Sequence, residues 1–450
     1  MSRQLELPLE GKGEALRVQR SEEASTAVHG DEDSGSQQLL EEVLDARNLR
    51  AALKRVRQNQ GSPGIDGMTV DELPGWLRVH WPEVREQLLA GRYQPQAVRR
   101  QRIPKRGGGE RELGIPTVLD RFIQQAVLQV LQPRFDPTFS SHSHGFRPGR
   151  RAHDAVREAQ RYIQAGRRWV VDVDLEKFFD RVNHDVLMGR LARRLGDTRM
   201  LGLIRRYLEA GVMCNGVVME RYEGTPQGGP LSPLLANVLL DEVDRELERR
   251  GHTFVRYADD CNVYVRSRRA GERVMQLLIR LYGRLRLRIN AAKSAVARVW
   301  RRPFLGFAFW VGPGEQVRCR VHRDALRAMK DRVRQLTRRT RGRSLAQMAA
   351  GLRPYLLGWG NYFRLADTPG VFGALDEWLR HRLRACQLKH WKRGPTVYRA
   401  LRARGLSRVA AAQVAANAQC WWHNSAMALH VALPNAHFDE LGVPRLVTFA

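Results

Sequence analysis

From Leu39 the apolar positions recur at helical spacing: Leu39, Leu40, Val43 and Leu44, then Leu49, Leu53 and Val56. Residues three and four apart share one face of an α-helix, so the folded chain is predicted to start as helix. The turn-rich segment Asn59-Gln60-Gly61-Ser62-Pro63-Gly64-Ile65-Asp66-Gly67 ends that pattern. A second helical stretch runs from Val70 through Leu89, and Phe122, Ile123, Val127, Val130 and Leu131 predict another after Asp120. The period then shortens. Arg168-Trp169-Val170-Val171-Asp172-Val173-Asp174-Leu175 reads as a strand, as do the Val-, Phe- and Tyr-rich runs on either side of Asp259 to Asn262 within His252 to Val265. Asp259-Asp260-Cys261-Asn262 between the last two reads as the turn of a hairpin. A helix is expected from about Gly271 to Leu285, and a strand at Phe304-Leu305-Gly306-Phe307-Ala308-Phe309. Residues 1–37 have no sustained apolar period and predict a disordered tail.

Beyond about Arg318 the pattern is helical again, with Leu326, Met329, Val333 and Leu336 on one face. Arg327, Lys330, Arg334, Arg338 and Arg339 crowd the same stretch, so one face packs and another is basic. Lys389-His390-Trp391-Lys392-Arg393-Gly394-Pro395 reads as a linker to a small helical module in which Trp421 and Trp422 are expected core anchors. Charge extends this picture to the whole chain. Lys and Arg total 76 against 47 Asp and Glu, a net charge of +29 that favours a polyanionic partner. Charge selects nucleic acid, but no activity. No apolar run spans a bilayer and no leader is evident, which predicts a soluble cytoplasmic protein without a membrane partner. The five scattered cysteines lack any C-x-x-C pair, against a disulfide scaffold or a zinc finger.

Carboxylates supply the candidate chemistry. Asp172 and Asp174 share one face of a Val-rich strand, where an unpaired acid is costly to bury, so at least one should meet a cation or water. Asp259 and Asp260 are tolerable side by side only if exposed or neutralised. The stretch Glu223-Gly224-Thr225-Pro226-Gln227-Gly228-Gly229-Pro230-Leu231-Ser232-Pro233 is a stiff loop that permits close backbone approach to a ligand. In Ser140 to Arg151, Arg147, Arg150 and Arg151 beside two glycines suit phosphate contact.

Together these segments resemble the reverse transcriptase–maturases encoded by bacterial group II introns. Tyr257-Ala258-Asp259-Asp260 matches the polymerase box, and Gly224 to Pro233 the next most diagnostic block. Asp174 to Asp180, His144 to Arg150 and Phe304 to Phe307 match others in order, and Leu357 to Phe363 resembles the maturase segment. The resemblance implies an α+β right-hand polymerase, with fingers and palm carrying an antiparallel sheet over residues 38–317. A helical thumb, or maturase domain, would occupy 318–388, and a DNA-binding module without an HNH endonuclease 389–450. It implies an RNA-directed DNA polymerase that binds its intron RNA as a splicing maturase and supports intron mobility. Partners would be group II intron RNA, DNA target and primer, and dNTPs, with oligomeric state open.

The chemistry explains the residue types. Nucleotidyl transfer is an in-line displacement in which two Mg²⁺ ions stabilise the attacking and leaving oxygens. Mg²⁺ takes one or two carboxylates plus substrate phosphates. Asp174, Asp259 and Asp260 fit, and the resemblance adds the Leu175 carbonyl and prefers Asp174 where spacing alone leaves Asp172 open. By the same resemblance Phe179 lies beneath the incoming sugar and excludes a 2′-OH, and Gln227 contacts the nucleotide. Lys105, Arg121 and Lys293 fall in blocks around the nucleotide site, while Arg147, Arg150, Arg327, Lys330, Arg334, Arg338 and Arg339 are the expected nucleic-acid contacts. Rival readings are an RNA-binding maturase that has lost polymerisation, and a related reverse transcriptase of phage defence or diversity generation.

Overall fold

The structure, a computed structural model, describes residues 38–104, 110–214, 217–219, 223–225, 228–338, 342–426 and 429–449. The tail expected over residues 1–37 lies outside them. In chain order the strands are β1 (Val98–Pro104), β2 (Glu110–Ile115), β3 (Trp169–Val173), β4 (Val212–Cys214) and β5 (Val217–Met219). They continue as β6 (Thr253–Tyr257), β7 (Asp260–Val265), β8 (Ala295–Arg298), β9 (Phe307–Val311) and β10 (Val317–Val321). The chain forms two compact units, Met1–Ala155 with Val170–Val296, and Val156–Trp169 with Ala297–Ala450.

The first unit mixes helices with two four-stranded sheets, ordered β2-β1-β4-β5 and β6-β7-β3-β8. Its core is built on Val118–Phe135 and Ser232–Arg249, helices that bury Phe122, Ile123, Val127 and Leu131, and Leu235, Val238, Leu239 and Val243. Thr117 caps the first of these by accepting from the Asp120 amide at 3.1 Å. The buried Asp120 carboxylate in turn accepts from Tyr93 Oη at 2.8 Å, Thr117 Oγ1 at 2.7 Å and the Gln96 amide at 3.2 Å. That network fixes the approach to β1. The expected antiparallel sheet holds for β1 with β2, β4 with β5 and β6 with β7, but β1 pairs with β4 in parallel. A parallel pair needs a long crossover, and the helices between residues 118 and 209 provide one.

The second unit carries the β9–β10 hairpin and the helices Arg323–Leu336, Leu345–Phe363 and Pro369–Trp391. Ser344 and Gln347 form a capping box at the start of the second helix. Phe307, Trp359, Phe363 and Phe372 pack as a chain of rings with centroids 4.8–5.7 Å apart. The linker predicted over residues 389–395 is not one. Its first three residues continue the Pro369–Trp391 helix, and Gly394-Pro395 open the next, where proline is tolerated because the first-turn N–H has no helical partner. Nor do the last residues form a module apart. Buried Arg380 donates to the Asp439 carboxylate at 3.0 Å and to the Val443 and Pro444 carbonyls, and Asp376 accepts from the Leu446 and Val447 amides at 2.9 Å. These bonds tie residues 439–447 to the Pro369–Trp391 helix, so the boundary expected at 388 and 389 falls inside continuous structure. Trp422 is exposed rather than a core anchor, and its ring stacks on His381 at 3.9 Å.

Candidate active site

β6 and β7 pair antiparallel with Tyr257 opposite Asp260, so the turn between them consists of Ala258 and Asp259. The turn therefore comes earlier than the Asp-Asp-Cys-Asn reading placed it. Asp260 opens β7, and Cys261 and Asn262 are buried within the strand. Ala258 has φ +60°, a left-handed conformation that is uncommon for a residue with a side chain. Its surroundings impose it. The loop His142–Gly145 lies along β6, with the His144 amide donating to the Arg256 carbonyl and the Arg256 amide to the His142 carbonyl, both at 2.9 Å. A Cβ on Gly145 would come within 2.0 Å of the Ala258 nitrogen, so only glycine permits this approach.

A buried arginine holds the turn from inside. Arg256 is fully buried and grips Asp244 in a two-point ion pair, Nε to Oδ1 at 2.9 Å and Nη2 to Oδ2 at 2.6 Å. Its Nη1 donates to Asn237 Oδ1 at 2.9 Å and to the Ala258 carbonyl at 2.8 Å. The Asn237 amide nitrogen then donates to the Gly145 carbonyl at 3.0 Å. One network thus ties the Asp259 turn, the Gly145 loop and the helix Ser232–Arg249 together. Sequence reading passed over Asn237, Asp244 and Arg256. The signal was available: two polar residues seven apart, hence on one face of a helix whose buried positions are mostly Leu, Val and Ala, with an arginine inside an apolar strand.

β3 lies next to β7 in the same sheet, which brings Asp172 and Asp174 alongside the Asp259 turn. The Asn262 amide, in the orientation that satisfies both of its ends, donates to Asp172 Oδ1 at 2.8 Å. Asp174 is placed differently. Its carbonyl accepts from the Asn290 amide at 2.8 Å, its own amide donates to Ser294 Oγ at 2.9 Å, and Lys293 Nζ stands 3.3 Å from its carboxylate. Leu175 bridges to Ile289, which keeps the backbone after Asp174 extended. The carboxylates sense one another. Asp260 is pushed up to about 7 by desolvation and then by repulsion from Asp259, Asp174 and Asp172, with Lys293 opposing. Because the Asp260 side is open to solvent, the repulsion is the cause best supported by geometry.

Among the described residues no three His, Cys, Asp or Glu side chains stand close enough together to hold an ion by themselves. The donor set nevertheless suits Mg²⁺, a hard cation that completes its shell with water and substrate phosphate. Mutually repelling carboxylates with a lysine ammonium against one of them are a place where added positive charge is favoured.

Beside this sheet, the short turn Phe178–Arg181 presents Phe179, whose ring is almost buried. The Gly224-Thr225 segment clamps that turn: the Thr225 amide donates to the Phe179 carbonyl and the Gly224 amide to the Val182 carbonyl, both at 2.7 Å. Phe179 forms one wall of a cavity of about 640 Å³, together with Arg121, Phe146, Gly228, Gly229 and Pro230. Arg121 also donates to the Ser62 carbonyl at 2.7 Å, and burial pulls its guanidinium below the usual arginine range. Lys105 and Gln227, also expected at the nucleotide, lie outside the described residues.

The expected nucleic-acid contacts separate. Arg147 is a correction: its side chain is buried, pairs with Asp136 at 2.8 Å and donates to the Ser140, Ser143 and Asp136 carbonyls. Four partners occupy it, so it braces the loop from within. Arg150 is half-buried and donates to the Ser141 carbonyl. In the second unit Arg327, Arg334 and Arg338 are exposed, and Lys330 and Arg334 lie over the Trp378 ring at 5.5 and 5.6 Å. Arg339 lies outside the described residues.

Comparison with known proteins gives these features a family. Residues 103–309 match the reverse transcriptase family (RNA-dependent DNA polymerase), and residues 326–405 the group II intron maturase-specific domain. Protein YkfC of Escherichia coli is 33% identical over 304 residues, 58% of this chain and 80% of that protein. The group II intron-encoded protein LtrA of Lactococcus lactis is 38% identical over 195 residues, 43% of this chain and 32% of LtrA. Nuclear intron maturase 1 of Arabidopsis thaliana is 30% identical over 198 residues, 32% of this chain and 27% of that protein. This chain thus spans most of YkfC but under a third of each of the other two. With the polymerase box, its neighbouring carboxylate strand and a maturase-specific stretch in one polypeptide, the chain belongs to the group II intron-encoded reverse transcriptase–maturases.

Proposed function

We propose that this chain copies RNA into DNA at the Asp174, Asp259 and Asp260 carboxylates, and that the same polypeptide binds its group II intron RNA to assist splicing and mobility. The observation that carries the reading is the adjacency of β3 and β7, which gathers carboxylates from distant parts of the sequence at one end of one sheet. Asp174 and Asp259 would hold Mg²⁺, with Asp260 and the Leu175 carbonyl as further oxygen donors, and Mg²⁺ when bound supplies charge neutralisation for the transferring phosphate. Asp172 is the weaker candidate because the Asn262 amide already engages its carboxylate. Lys293, in reach of Asp174, would orient that carboxylate. Phe179 is the proposed wall against a 2′-OH, and Arg121, in the same cavity, a proposed triphosphate contact. Residues 38–317 would act as fingers and palm, and the helices from Arg323 as a thumb whose exposed arginines meet RNA or DNA phosphate.

Primer extension on an RNA template with dNTPs and Mg²⁺ tests this. The wild type extends the primer; Asp174→Ala and Asp259→Ala do not, while retaining intron RNA binding. Asp172→Asn keeps most of its activity. Normal extension by both alanine variants would refute the metal assignment. A wild type that binds intron RNA tightly yet extends nothing would favour the maturase-only reading.

Of the described helices, none is long and apolar enough to cross a membrane.

A further inference from the structure

Phe146 is an aromatic residue in a backbone conformation that aromatic residues avoid. Its φ is +62°, in the left-handed region where a large side chain is an outlier. Such strain persists only where neighbours over-determine it. Here both flanks are pinned. On one side the Gly145 carbonyl accepts from buried Asn237 at 3.0 Å, with Gly145 itself pressed against Ala258. On the other, Arg147 is clamped to Asp136, Ser140 and Ser143.

Core packing does not account for the ring. It is 41% exposed, while its neighbour Phe179 is buried. It meets Phe179 in an edge-to-face arrangement at 6.2 Å between centroids, and both rings line the 640 Å³ cavity that Arg121 and Gly228–Pro230 complete. A strained backbone that holds an apolar ring out into a cavity, rather than folding it into the core, is expected where the ring has a ligand to meet. The cavity already has a cation for phosphate in Arg121. An exposed aromatic ring lining a cavity suits the flat, apolar part of a nucleotide.

We infer that Phe146 is a nucleotide-contacting residue: with Phe179 it forms an aromatic corner against the sugar–base portion of the incoming dNTP. The inference rests on the polymerase reading above and deepens it. Every base has a π-face, so the contact serves all four nucleotides alike, setting affinity rather than base choice. The same logic explains why the backbone strain is retained: glycine would relax the loop but remove the ring.

The test uses the full-length protein, steady-state extension on an RNA template, and dNTP binding to a complex whose primer ends in a dideoxynucleotide. Phe146→Gly and Phe146→Ala should each raise KM and the dNTP dissociation constant roughly ten-fold for all four dNTPs, about the worth of one stacked ring, with kcat little changed. Phe146→Tyr, which keeps the ring, should stay near wild type. Stability separates ligand binding from packing: Phe146→Gly, free of the φ penalty, should melt no lower than wild type while binding dNTP more weakly. Unchanged KM and dissociation constant in Phe146→Gly, alongside a wild type that extends primers normally, would overturn the inference and leave the polymerase reading standing. A lower melting temperature with unchanged dNTP affinity would also overturn it, making Phe146 a packing residue. A wild type that extends nothing and binds no dNTP would overturn both.

Discussion

Arginine does opposite jobs in two regions of this molecule. Around the Asp259 turn, Arg256 and Arg147 are buried, and each is committed to carboxylates and backbone carbonyls of its own fold. Along the helix Arg323–Leu336, Arg327, Arg332 and Arg334 face solvent over a packed stripe of Met329 and Val333. The residue type is the same, and so is its contribution to the net charge of +29. What differs is the surrounding dielectric. A buried guanidinium must satisfy its donors inside the protein and so becomes a fixed strut, while an exposed one stays hydrated and can exchange water or counterions for phosphate. Charge along a sequence therefore marks a nucleic-acid surface only after the buried arginines have been removed from the count.

The strongest way to break this comparison is to cut the internal strut. Arg256→Met leaves Asp244 buried without its partner and should cost about 3–5 kcal/mol of stability in urea unfolding. Replacing both partners, as Arg256→Met with Asp244→Leu, should restore much of that stability, because the unpaired charge is gone. The double variant still lacks the hydrogen bond to the Ala258 carbonyl, so its kcat should remain depressed while its dNTP KM changes little. Equal activity of the folded double variant and the wild type would reduce Arg256 to a stability element.

A gentler probe of the interior uses pH. Burial pushes the Asp120 carboxyl from 3.8 up to about 6, against the opposing hydrogen bonds from Thr117, Tyr93 and Gln96. A raised carboxyl pKa favours the folded state fully below the unfolded value, and that contribution is lost as pH rises through about 6. Relative to Asp120→Asn, the wild type should therefore lose up to about 3 kcal/mol between pH 4 and 7. Parallel stability profiles for the two would show that Asp120 does not titrate in this window.

The exposed side should respond least in stability and most in salt. Arg327→Gln, Arg334→Gln and Arg338→Gln should each shift unfolding by no more than about 0.5 kcal/mol. Combined, they should weaken binding of intron RNA and flatten its dependence on salt, by roughly 0.7 in slope for each single-strand phosphate that is no longer neutralised. Unchanged salt dependence in the triple variant would move the nucleic-acid surface elsewhere.

Much of this site was legible one residue at a time, and the limits fell where interactions are non-local. The acidic strand and the Asp-Asp hairpin stood out because carboxylates are conspicuous among Val, Phe and Tyr. The hairpin was nonetheless placed too late, since Ala258 offers no turn signal of its own and enters the left-handed region only under pressure from Gly145 and Arg256. Arg147 looked like a phosphate ligand because glycine and arginine neighbours suggest one; nothing nearby in sequence announces that Asp136 and three carbonyls occupy it. Lys389 to Pro395 looked like a linker because its composition is basic and broken by Gly-Pro. Its helical continuation and the return of residues 439–447 to the Pro369–Trp391 helix depend on partners about 60 residues apart along the chain, such as Arg380 and Asp439.

The sequence by itself determined the inventory: most of the helical and strand segments, which carboxylates are candidates for the chemistry, and a net charge that favours a polyanionic partner. Periodicity, residue type and charge are local properties, and local properties can be read directly. The tertiary structure decided which of those residues remain available. It set Asp174 beside Asp260 through strand order, withdrew Arg147 and Arg256 into the core as struts, and held Phe146 outward into the cavity against its backbone preference. Each of those outcomes depends on what a side chain meets from a distant part of the chain, and so on burial and pairing rather than on sequence pattern.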